Sequence, residues 1–173
     1  MRYRGYILTW TTAVCLAASP LSADPGSNPQ IDYAGFAGLT AEVASVRQDR
    51  LVSLTEFRQR AAKPDTLILD TRSAAAFAEG HIDGAVNLPF SDFTDAKLRA
   101  VIGANPDREI LIYCNNNFSN DIQPVVTKRA PLALNIPTFI NLYGYGYRNI
   151  YEFGEIVDLH EPMVGWVAGN GLN

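Results

Sequence analysis

Glu109-Ile110-Leu111-Ile112-Tyr113-Cys114 runs directly into Asn115-Asn116-Asn117-Phe118-Ser119-Asn120, and the junction between these stretches decides how the chain is read. A short apolar run bounded by turn-forming residues fits a strand buried on both faces, as in a parallel sheet. Thr66-Leu67-Ile68-Leu69-Asp70 repeats the pattern after the stop Lys63-Pro64-Asp65. Helix signals surround both runs. Ser53-Leu54-Thr55-Glu56 has the form of a capping box and predicts a short helix to about Ala62. Ala-rich residues from Ser73 to Glu79 stop at Gly80, a natural helix end. Val86-Asn87-Leu88-Pro89 predicts a brief strand, and Ser91 a cap for a helix to about Ile102. A helix over Pro137 to Tyr143, closed by Gly144 and Gly146, precedes a last strand from Asn149 to Phe153. Strands alternating with helices predict an α/β fold, a mainly parallel sheet flanked by helices on both sides.

The chain's 173 residues make one domain the default. With 47% hydrophobic and 18% charged residues it can bury a core and does not read as disordered. A formal charge of −4 and pI near 5.1 argue against nucleic acid, which calls for clustered Lys and Arg. The N-terminus reads differently from the rest. Arg2 and Arg4, an apolar stretch from Ile7 to Ala18 and the small-residue exit Ser19-Pro20-Leu21-Ser22-Ala23 predict a signal peptide over 1–23, cut after Ala23. An uncleaved anchor is the alternative. Cleavage predicts an exported protein, periplasmic or secreted, with no membrane span left. It removes Arg2, Arg4 and Cys15, so the formal charge falls from −4 to −6 and Cys114 is the one cysteine remaining. No internal disulfide can then form. Residues 24–49 read as a linker and N-terminal extension: 24–31 are polar and rich in Pro and Gly, and 32–49 carry a weak helical pattern.

Cys114 stands where an open α/β sheet binds ligands, at the carboxyl end of a strand. The asparagines after it enter left-handed conformations readily, so Asn115, Asn116, Asn117, Phe118 and Ser119 are the candidate substrate-binding loop, with backbone N–H groups turned inward as an anion nest. Such donors would acidify the thiol and hold an anionic group on its sulfur. A buried, inert cysteine closing a strand is the other reading of the same position.

Leu69-Asp70-Thr71-Arg72, followed by Phe77-Ala78-Glu79-Gly80-His81-Ile82-Asp83-Gly84-Ala85-Val86-Asn87-Leu88-Pro89, resembles the first signature of the rhodanese-like domains. Ile110 to Cys114 is similar to the strand leading into that family's catalytic cysteine, and Gly146-Tyr147-Arg148-Asn149-Ile150-Tyr151 to a motif near its end. The resemblance covers about residues 50–158, leaving 159–173 as a C-terminal tail. It implies a single rhodanese fold in which Cys114 carries a persulfide. Sulfane sulfur would pass from a small sulfur-containing donor to a thiol or cyanide-like acceptor. It implies no metal and no organic cofactor. Asp70 and Arg72, flanking the first strand's end, read as a structural ion pair or cap, and the resemblance places His81 in a structural turn.

The chain also departs from the family. Members acting on thiosulfate follow the cysteine with Cys-Arg-x-Gly-x-Arg, whereas here Asn115 and Ser119 stand at the Arg positions and Asn117 at the Gly. An anionic donor forgoes two charge-assisted contacts. Related phosphatases need Cys-x5-Arg, and Asn120 at that position lacks the bidentate clamp a phosphoryl transition state requires. The segment from Cys114 to Gly146 is also longer than the family needs, with the surplus placed at about Phe118 to Asn135. Lys128 and Arg129 lie inside it, either as solvated surface charges or leaning over the cysteine. Tyr143, Tyr145, Tyr147 and Tyr151 read as packing, and Gly144-x-Gly146 alone is too weak for a nucleotide loop. Two functions stay open at this level: a sulfurtransferase working through Cys114, and a non-catalytic rhodanese-like binding module.

Overall fold

The computed structural model describes residue 28 and residues 30–169, so the leader read over 1–23 lies outside the described residues. Five strands form one sheet: β1 (Leu51–Val52), β2 (Leu67–Asp70), β4 (Ala85–Asn87), β5 (Ile110–Tyr113) and β6 (Ile150–Phe153). Their order is β1-β6-β5-β2-β4, and every neighbouring pair is parallel. β2 and β5 are central and buried along their whole length, which is why both are continuous apolar runs.

Period-two alternation sends their side chains to two cores. Leu67, Leu69, Ile110 and Ile112 meet α1 (Tyr33–Val46), α4 (Asp95–Ile102) and α5 (Asn135–Gly144) through Val43, Leu98, Ile102, Phe139 and Leu142. Ile68, Leu111 and Tyr113 face α2 (Leu54–Ala61) through Leu54 and Phe57. The chain passes from β2 outward to β4, then returns to the other side of β2 as β5. The ends of β2 and β5 therefore flank a topological switch point, where such sheets open a crevice.

Local signals explain the boundaries. Ser53 Oγ accepts from the Glu56 N–H at 3.2 Å, but the Glu56 carboxylate turns to Arg60 at 2.7 Å and leaves the box half made. Thr94, not Ser91, caps α4, accepting from the Lys97 N–H at 3.3 Å; Ser91 lies in a preceding 3₁₀ turn, Phe90–Asp92. Residues 159–169, the described part of the stretch read as a tail, pack on the domain: Leu159 and Val164 are buried and β7 (Trp166–Ala168) pairs antiparallel with β3 (Gly80–Ile82). α3 (Ala74–Glu79) precedes β3. No helix among the described residues is long and apolar enough to cross a membrane.

Candidate active site around Cys114

Alternation along β5 turns Cys114 toward the α5 side of the sheet, where it is 1% exposed. Beyond it the chain makes a 3₁₀ turn, Asn115–Asn117, rather than a left-handed one. Among the described non-glycine residues only Asp65 and Asp121 have positive φ. Asn117 is held by its side chain instead. Its Oδ1 accepts from the Cys114 N–H at 2.9 Å, and its Nδ2 donates to the carbonyls of Phe153 at 2.7 Å and Glu155 at 3.1 Å. The loop is thereby fastened to β6.

Backbone N–H groups of Asn135, Asn116 and Leu134 favour the thiolate at this position. Two of the three come from the start of α5 rather than from the loop after the cysteine. Burial pushes the thiol pKa up, the Glu152 carboxylate adds to that, and the three donors oppose it. Burial prevails, and the thiol is held above its ordinary range. The acidified thiol expected from the loop's composition is therefore corrected: the donors exist, but the sulfur is too far removed from water.

A cavity of about 210 Å³ lies beside Asn116 and Leu134, lined also by Arg72, Ser73, Ala76, Asn115 and Lys128, with Cys114 itself behind its wall. No carboxylate lines it. Asn115 and Asn116 spend their amides on the long segment that follows: Asn115 Nδ2 donates to the Val126 carbonyl at 2.7 Å. Asn116 donates to the Lys128 carbonyl at 2.7 Å and accepts the Lys128 N–H at 3.1 Å. Within the segment, Asp121 accepts from both the N–H and the hydroxyl of Thr127 at 2.8 Å, and Val125 is fully buried. Lys128 is thus set at the cavity wall by its backbone, and its ammonium has no ion-pair partner among the described residues.

Phe118 and Ser119 do not line the cavity. Phe118 is buried edge-on against Tyr113 and Trp166, with centroids 6.1 and 5.2 Å apart, and the Ser119 N–H donates to the Val157 carbonyl at 2.9 Å. Asp70 and Arg72 form a buried ion pair at 2.6 Å, and the Tyr113 hydroxyl donates to the same carboxylate. Arg72 also donates to the Gly80 carbonyl at 2.7 Å. His81 lies on β3, its Nδ1 2.9 Å from the Phe77 carbonyl and its ring stacked on Phe77 at 3.8 Å. Among the described residues no three His, Cys, Asp or Glu side chains are grouped as a metal would need.

Sequence reasoning missed Leu134, Asn135, Glu152 and Arg47. Asn135 Nδ2 donates to Asn117 Oδ1 at 3.1 Å and to Glu152 Oε1 at 3.3 Å, and Arg47 Nη2 donates to the same Oε1 at 2.7 Å. A signal was present: Glu152 is a lone carboxylate in an otherwise apolar strand, Ile150–Phe153, and a charge buried there needs a partner.

The family model for rhodanese-like domains matches residues 53–153, and the chain belongs to that family. A curated relative, the adenylyltransferase and sulfurtransferase uba4 of Sclerotinia sclerotiorum, is 25% identical over 127 residues, covering 69% of this chain. The matched region is only 27% of that relative's length. Among solved structures, the human single-domain sulfurtransferase TSTD1 is 24% identical, with 61% of this chain and 90% of that one covered and a TM-score of 0.41. The polysulfide-sulfur transferase of Wolinella succinogenes is 18% identical, with 68% and 77% covered and a TM-score of 0.41.

Proposed function

We propose that the protein is a sulfurtransferase that carries sulfane sulfur as a persulfide on Cys114. The observation that carries this reading is the place of Cys114 within the rhodanese-like match, directly after the central strand β5 and near a carboxylate-free cavity walled by Lys128. The Cys114 thiolate attacks the sulfane sulfur of a donor, forming an S–S bond while the donor's remainder leaves with the electron pair. The terminal sulfur then bears the negative charge, and backbone donors favour such a charge. A thiol or cyanide-like acceptor attacks that outer sulfur, the S–S bond breaks, and the electron pair returns to Cys114. The donor occupies the cavity beside Lys128, whose ammonium supports a small anionic sulfur compound. No cofactor enters these steps.

Mass spectrometry after incubation with sulfane donors tests the reading. A gain of one sulfur atom at Cys114, discharged by cyanide or a thiol, is the expected result. If no donor loads Cys114, the second reading stands, a binding module whose pocket recognises a partner or small ligand. The near-complete burial of the thiol is what favours that alternative.

The working compartment is proposed to be outside the cytoplasm, on the strength of the basic start, apolar stretch and small-residue exit of 1–23. N-terminal sequencing of protein from the native host is expected to begin at Asp24. A start at Met1 with cytoplasmic retention refutes export.

A further inference from the structure

A continuous chain of side chains runs from the segment preceding the family match to the backbone of the candidate nucleophile. Arg47 lies in a 3₁₀ turn, Arg47–Arg50, that links α1 to β1. Its guanidinium makes a two-point pair with Glu152, through Nε to Oε2 and through Nη2 to Oε1 at 2.7 Å. The Glu152 side chain is 5% exposed and that of Arg47 36%, so the acid sits inside and the base closes it off from solvent. Asn135 bridges Glu152 Oε1 to Asn117 Oδ1, and the same Asn117 oxygen accepts the Cys114 N–H at 2.9 Å. The Asn135 backbone N–H also favours the thiolate of Cys114. A single carboxylate therefore holds the side-chain amide of the residue whose backbone N–H favours the thiolate.

We propose that Arg47 is a positioning residue for Cys114, acting through Glu152 in two ways. It cancels the charge that most disfavours a thiolate at this position, and it holds Asn135 and Asn117 in register around the sulfur. The other charges near Cys114 are accounted for. Asp70 and Arg72 at the end of β2 neutralise each other, Lys128 stands at the cavity wall, and α5 carries no charged side chain. Glu152 is left as the acid acting on the thiol, with Arg47 as its ion-pair partner. The role gains its meaning from the sulfur-transfer reading, since a thiol that never reacts needs no such control.

The rate of alkylation at Cys114, resolved by peptide mapping so that Cys15 does not interfere, is measured against pH in the full chain. Arg47→Ala is expected to move the profile to higher pH by about one unit, a tenfold loss of thiolate below the pKa. Arg47→Lys restores part of the shift. Glu152→Gln moves the profile the other way, and Arg47→Ala combined with Glu152→Gln follows Glu152→Gln alone. An unchanged profile for Arg47→Ala overturns the proposal. So does a double variant that behaves like Arg47→Ala, because the effect is then packing and not charge. Sulfur loading is assayed on the same proteins. Wild type that loads from no donor defeats the sulfur-transfer reading, while the alkylation profiles still judge Arg47.

Discussion

At Cys114 two influences oppose each other: removal from water favours the thiol, and three backbone N–H groups favour the thiolate. Because burial prevails, the folded thiol keeps its proton at a pH where the unfolded thiol, near 8.5, has begun to lose it. The unfolded state then binds fewer protons than the folded one, so stability falls as pH rises from the unfolded pKa toward the folded one. Urea unfolding at pH 7.5 and 9.5 is expected to show that loss, and Cys114→Ser to lack this part of it. The Asp70–Arg72 pair behaves differently. Both groups are almost wholly buried, so Asp70→Ala strands a guanidinium and is expected to cost about 3–5 kcal/mol. Sulfur transfer per folded molecule should change less than stability does. Unaltered melting with abolished turnover would give Asp70 a chemical role instead.

At the level of elements, the segment from Phe118 to Asn135 changes how the site works. Asn115 and Asn116 fasten it, so Asn116→Ala removes two hydrogen bonds and is expected to speed proteolysis between 119 and 129. Lys128→Gln alters no ion pair and should leave melting unchanged while raising KM for thiosulfate several-fold at low ionic strength. That difference should shrink in high salt, where an exposed charge is screened. A KM that ignores both the substitution and the salt would show that Lys128 does not meet the donor. Gly80 marks another close approach. A Cβ there would meet the Trp166 ring at 2.7 to 2.9 Å, so Gly80→Ala must displace the tryptophan and is expected to destabilise by about 1–3 kcal/mol. Denaturant midpoints measure it.

Over the whole molecule, the last described stretch is a structural part of the domain. Leu159, Val164 and Trp166 pack beside Phe57, Phe118 and Phe153, and β7 gives β3 its partner strand. Each buried aliphatic lost from a core costs about 2–5 kcal/mol, against a typical total stability of about 5–15 kcal/mol. Truncation after Asp158 is therefore expected to abolish cooperative urea unfolding. A truncated chain with a sharp native-like transition would return these residues to the status of a tail.

The two central strands, the α/β alternation and the position of Cys114 at a strand's carboxyl end were legible in the chain's own residues. These follow from local features: runs of apolar residues, capping side chains, and Gly and Pro stops read within a few residues of one another. The same is true of Ser73, which caps α3 through the Ala76 N–H at 3.2 Å. Contacts between distant residues were not legible in this way. Leu134 and Asn135 reach the thiol only because α5 packs over the end of β5, and Arg47 meets Glu152 across 105 positions of sequence. The loop's composition pointed to an acidified thiol, but the degree of burial, which outweighs it, is a sum over the whole packed structure. Asparagine's tolerance for left-handed backbone was a permission and not a requirement. Asn117 instead satisfies its amide on the carbonyls of Phe153 and Glu155, which only the packing of β6 beside the loop brings within reach.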